Sequence, residues 1–133
     1  MKLVKRKFLS FLLKIGRVKL ARPIVSYFFN HVDHLLPSEP LAENDNWFAI
    51  HHPQPHYPLH ILILPKVALR SLMESPSGEG AFYQNLFALV KVLIEKYHLE
   101  PSGYRLITNG GPNQTIPQWH WHLISDHVCT EPT

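Results

Sequence analysis

At 133 residues the chain is long enough for one compact domain with a core and too short for two ordinary ones. Hydrophobic residues at 45% and charged residues at 17% exclude a disordered chain, and one cysteine, Cys129, excludes an internal disulfide or a thiolate zinc cluster and fits a reducing compartment. The net charge of +3 is unevenly divided: residues 1–32 hold eight of the thirteen Lys/Arg and no acid, so the remainder is acidic.

The basic head, residues 1–23, sets Val4, Phe8, Phe11, Ile15 and Val18 at intervals of three and four, the period of a helix with one apolar stripe, and Pro23 ends it. Its apolar run from Phe8 to Leu13 is about half the length of a spanning segment. Lys14 also interrupts the hydrophobic region that a secretory signal needs. Three uses stay open for residues 1–22: a helix on an anionic membrane surface, a transit peptide, or a packing helix on the domain or across a dimer. Its aromatics lie on the apolar stripe and not among the charges, so no nucleic-acid partner is expected.

Residues 24–37 read as a second, shorter helix closed by Pro37. A turn-rich connector leads into the strand "WFAI", followed by the Pro-rich loop "HHPQPHYP" and the strand "LHILILPK". Ser77 is placed to cap a helix running to Leu99, with Phe82, Leu86, Leu89, Val90, Leu93 and Tyr97 on one face. Then come the strand "GYRLITN", the Gly-rich turn "GGPN" and a last strand over residues 114–125, "QTIPQWHWHLIS". The order, without βαβ alternation, predicts α+β with an antiparallel sheet.

On that last strand a period of two sends Gln118, His120 and His122 to one face and Trp119, Trp121 and Leu123 to the packed reverse. His60 sits on a neighbouring strand between Leu59 and Ile61, and His31, His51, His52 and His56 lie before or in the Pro-rich loop. Such a cluster suits three ends. One imidazole can attack phosphorus while another protonates the leaving group, with the Gly-rich turn cradling phosphate oxygens. Alternatively, imidazoles two apart on a strand chelate a metal with His60 as third ligand, or all are structural.

Taken together, "QWHWHLI", Gln114-Thr115-Ile116, "PLHILILPK" and "GYRLITN" resemble the motifs of the histidine-triad (HIT) family, and in particular its Hint-like branch. The resemblance implies an antiparallel sheet of about five strands with one long helix and a shorter N-terminal helix. Residues 24–133 would form this domain and residues 1–23 an extra basic helix. It also implies a homodimer and an intracellular enzyme, cytoplasmic or organellar, that hydrolyses or transfers nucleotides at an α-phosphate. The substrate would be a phosphoramidate, a dinucleoside polyphosphate or a related ester, and no cofactor or metal is called for. His120 would be the nucleophile, His122 would contact the phosphate and protonate the leaving group, and Gln118 and His60 would complete the catalytic set. Asn109, Gly111, Gln114 and Thr115 would hold the phosphate region, and Tyr27, Phe28, Val32 and Ile50 would wall the base.

Three features depart from the family pattern. Glutamine stands in the first histidine slot, and its amide hydrogen-bonds but does not titrate near neutrality. His52 stands where the family has an aspartate for the ribose hydroxyls. The phosphate loop is two residues shorter, with Pro112 and Asn113 in the place of glycines. A nucleotide- or phosphate-binding protein of weak catalytic power, held at a membrane surface, is the alternative that these departures favour.

Overall fold

The computed structural model describes residues 40–127; the expectations for residues 1–37, including Tyr27, Phe28, His31 and Val32, and for Cys129 fall outside them. Five strands form one sheet: β1 (Ala42–Glu43), β2 (Trp47–His51), β3 (Leu59–Pro65), β4 (Arg105–Thr108) and β5 (Trp121–Ser125). Their order is β1-β2-β3-β5-β4, every neighbouring pair antiparallel. The expected α+β architecture is the one observed.

The turn between β1 and β2 is made by Asn44, whose Oδ1 accepts the amides of Asn46 and Trp47, a local bond that favours a turn over a continuing strand. Lys66, just past β3, forms an ion pair with Glu43 across the sheet edge. Partly solvated, that pair contributes little. The central strand β3 is buried along its whole length, as its near-continuous run of branched residues requires.

A long helix, α1 (Gly80–Lys96), lies on one face of the sheet. Its predicted stripe holds: Phe82, Leu86, Leu89, Val90 and Leu93 are buried, and Tyr97 joins them at the C-cap. They meet Trp47, Ala49, Leu59, Ile61, Ile63, Trp119 and Leu123 in one core. Trp47 ties the layers together, donating from its indole to the Phe82 carbonyl at 2.8 Å and meeting the Trp119 ring edge-on. Truncating so large a buried ring costs about 3–5 kcal/mol. A short helix, α2 (Leu99–Ser102), follows after His98 takes a left-handed conformation.

Two sequence expectations are corrected here. Ser77 does not cap α1: the helix begins at Gly80 behind Glu79, which makes no side-chain cap bond, and Gly78 at φ 82° turns the chain in between. The last strand is shorter than residues 114–125, since only Trp121–Ser125 joins the sheet. Pro117 lacks an amide for a ladder, and the approach to β5 is pinned by other contacts. Among the described residues no helix is long and apolar enough to cross a membrane.

Candidate active site

The face of the sheet away from α1 carries the imidazoles. In β3 the period of two separates His60 and Leu62 from the core-facing Leu59, Ile61 and Ile63. In β5 it separates His122 from Leu123, and the register sets His122 opposite Leu62. His60 and His122 thus share a face on adjacent strands, and His60 Nε2 lies 2.9 Å from His122 Nδ1.

His120 precedes β5, in the segment outside the ladder. Its position comes from neighbours: the Trp119 amide donates to the Leu69 carbonyl at 2.8 Å, and Thr108 Oγ1 donates to the His120 carbonyl at 2.8 Å while accepting the Trp119 indole N–H. The His120 ring meets that of His122 edge-on, centroids 4.9 Å apart. Its Nδ1 lies 2.7 Å from the Gln118 carbonyl oxygen. That oxygen only accepts, so Nδ1 carries the proton and Nε2 keeps its lone pair.

The remaining tautomers follow from their partners. The His56 amide donates to His60 Nδ1 at 3.2 Å, so neutral His60 bears its proton on Nε2 and gives it to His122 Nδ1. His122 is then left with Nε2–H. The Gln54 amide donates to His52 Nδ1 at 2.9 Å, which by the same reasoning leaves His52 with Nε2–H. These tautomers leave a lone pair on His120 Nε2 and place a proton on Nε2 of His122 and of His52.

These rings resist protonation. Burial, then nearby His60, His56 and His120, push His52 down to about 4 against an opposing contact with the Gln54 backbone. His60 falls to about 4 through burial and then His122, His56 and His120, and His122 to about 4 through burial, His120 and His52. Burial also lowers His120, opposed by its bond to the Gln118 carbonyl. At neutral pH the cluster is uncharged, which leaves the His120 lone pair available.

Other anticipated residues are placed less centrally. Gln118 is buried and its amide donates to the Trp119 carbonyl, so what it gives His120 is a main-chain oxygen. Gln114 spends its amide on the Arg70 and Ile116 carbonyls, bracing the loop. Gly111 opens a short turn at φ 58°, and nothing lies within 4 Å of a Cβ added there, so conformation and not crowding calls for glycine. Asn109 is half-buried beside this turn and Thr115 is exposed. Ile50 shares the imidazole face but is fully buried. One ring nitrogen from each of His52, His60 and His122 lies within 4.8 Å of the others, within reach of a common ion. Thr108 and the carbonyls of Leu69 and Arg70 were not anticipated. A main-chain carbonyl leaves no mark on residue type, whereas Thr108, a hydroxyl ending the strand "RLIT", was a signal that could have been read.

A family model described as the HIT domain matches residues 34–128. The chain belongs to the HIT family. A HIT-like protein of Synechococcus elongatus is 32% identical over 99 residues, spanning 73% of this chain and 86% of that one. A 14 kDa zinc-binding protein of Zea mays is 32% identical over 73% of this chain and 78% of its own. Among solved structures, a HIT family hydrolase from Clostridium thermocellum superposes with a TM-score of 0.65 at 27% identity, covering 86% of this chain and 97% of that one. The sheet, the long helix and the imidazole face are thus set in a HIT fold.

Proposed function

We propose that this HIT protein is a nucleotide hydrolase or nucleotidyltransferase that acts at an α-phosphate through a nucleotidyl-histidine intermediate on His120. The observation that carries the reading is the 2.7 Å contact between His120 Nδ1 and the Gln118 carbonyl, which leaves Nε2 with its lone pair beside the Nε2–H of His122. The hydrolase name of the Clostridium thermocellum relative supports it.

In the proposed reaction His120 Nε2 attacks phosphorus and the bond to the leaving group breaks. The Nε2–H of His122 holds a phosphate oxygen and passes a proton to the departing atom. A neutral imidazole N–H is too weak an acid for that transfer, so the cluster must take up a proton as substrate arrives. A phosphate dianion among the rings favours this, because a nearby opposite charge stabilises the imidazolium. Water then attacks the adduct, or a second acceptor does in a transferase. Glutamine in the first triad position is tolerated on this account, because His120 uses the main chain at 118. Asn109, Gly111 and Thr115 would line the phosphate, and Tyr27, Phe28, Val32 and Ile50 the base. A homodimer and contact of residues 1–22 with an anionic membrane surface belong to the same proposal.

The test is to incubate the protein with nucleoside phosphoramidates and dinucleoside polyphosphates, quench in base, and weigh the intact chain. A nucleotidyl adduct absent from His120→Ala supports the reading. No adduct and no product, with ligand-dependent thermal stabilisation retained, would assign a binding protein instead.

A further inference from the structure

We propose that Asn109-Gly110 is a self-modification site: the Gly110 main-chain nitrogen displaces the Asn109 amide as ammonia, and the aspartate or isoaspartate left by hydrolysis weakens the hold on phosphate. The chemical step needs only this chain and water. Its consequence rests on the proposed function, in which Asn109 lines the phosphate.

Attack by a main-chain nitrogen on the preceding side chain needs three things: no side chain crowding that nitrogen, an N–H not already engaged, and an amide not held by other bonds. Asn109-Gly110 is the one Asn-Gly pair of the sequence. The other described asparagines each fail a requirement. Asn44 accepts two amides at Oδ1 and donates from Nδ2 to the Asn85 carbonyl at 2.7 Å. The nitrogen after Asn46, that of Trp47, donates to Asn44 Oδ1, and the one after Asn85 lies inside α1. The nitrogen after Asn113, that of Gln114, donates to the Gly111 carbonyl at 3.0 Å. Asn109 differs from all of these. It follows Thr108, the last paired residue of β4, so the ladder does not hold it. Among the described residues its side chain makes no hydrogen bond and the Gly110 N–H donates none. Gly110 is exposed and extended, at φ −140° and ψ 165°, in open space.

In the first step the Gly110 nitrogen bonds to Asn109 Cγ, the Cγ–Nδ2 bond breaks, and ammonia departs with the proton that the Gly110 nitrogen gave up. A five-membered cyclic imide remains. Water opens it at either carbonyl, so no oxidant or reductant is involved. One product is aspartate. The other is isoaspartate, whose main chain runs through Cγ and is one carbon longer. Both place a carboxylate where a neutral amide stood, and a like charge repels phosphate. Isoaspartate also displaces the chain next to Thr108, whose hydroxyl donates to the His120 carbonyl at 2.8 Å. Charge and backbone shift thus act against the same site.

The full chain, fresh and after ageing in mildly alkaline buffer, is digested after Arg105, and the peptide of residues 106–133 is weighed and fragmented. The expected result is the mass gain of amide to acid, confined to position 109. The aged chain should also accept labelled methyl groups from an isoaspartyl carboxyl methyltransferase with S-adenosylmethionine. Gly110→Ala, whose Cβ crowds the attacking nitrogen but meets nothing within 4 Å, should fold, keep its amide and accept few methyl groups. Calorimetric titration with inorganic phosphate reads the consequence. Ageing should weaken binding by about tenfold, Asn109→Asp should do the same without ageing, and aged Gly110→Ala should match its own fresh value. Conversion at Asn113 in place of Asn109, or equal conversion in Gly110→Ala, would overturn the proposal. So would phosphate affinity unchanged by Asn109→Asp. Phosphate unbound even by the fresh chain would sink the consequence together with the reading it rests on, whereas an adduct on His120 in a chain whose Asn109 persists would sink this inference alone.

Discussion

The Nδ1 nitrogen of His120 is bonded to the main chain of Gln118, not to its side chain. The tautomer that frees Nε2 is therefore independent of the residue type at 118. Replacing Gln118 with histidine should leave adduct formation close to that of the unsubstituted chain, while His120→Ala abolishes it. Gln118→Ala removes the amide donor to the Trp119 carbonyl and should cost about 1 kcal/mol of stability, read from urea unfolding.

In the proposed reaction His122 acts on the departing group, so its loss should depend on what departs. His122→Ala should slow turnover of a substrate with a poor, basic leaving group by about 10²–10⁴-fold. With a nitrophenolate leaving group, which needs no proton, most of the loss should vanish. His60→Phe, which removes the donor to His122 Nδ1, should flatten the pH dependence of the same rate.

Acid should unfold the protein early. His52, His60 and His122 have folded pKa values of about 4, below the ordinary 6.5. The unfolded chain then binds more protons than the folded one between those values, so stability is complete above about 6.5 and falls as pH drops toward 4. Thermal melts at fixed ionic strength should follow this descent. His60→Phe should make it shallower. A melting temperature constant from pH 7 to 4.5 would contradict the assignment.

Much of the fold was legible because local chemistry and tertiary need agree. The stripe on α1, the loop at residues 52–58 and the alternation around His60 and His122 each serve one requirement at a time. The placing of His60 and His122 on one face of adjacent strands was legible for the same reason. Residues 114–120 were not. Their sequence alternates like a strand, yet Pro117 and the bonds from Trp119 to Leu69 and Thr108 hold them outside the ladder. The stacking of His52 on His60 was equally unreadable, since it depends on how a Pro-rich loop folds back.

Thr108 should matter more to catalysis than its place at the end of β4 suggests. Its hydroxyl donates a hydrogen bond to the His120 carbonyl and accepts one from the Trp119 indole, each at 2.8 Å, so one side chain fixes both the His120 backbone and the core tryptophan beside it. Thr108→Val keeps the shape and removes both bonds, leaving a buried indole N–H without an acceptor. That should cost about 1–3 kcal/mol. The rate of adduct formation should fall by about a hundredfold even where the variant is fully folded, because a small displacement of an attacking atom is expensive in rate. Thr108→Ser retains both bonds and should recover the rate. If Val and Ser variants form adduct equally fast, Thr108 holds the core and not the nucleophile, and the placement of His120 must come from the Leu69 and Gln118 main-chain contacts alone.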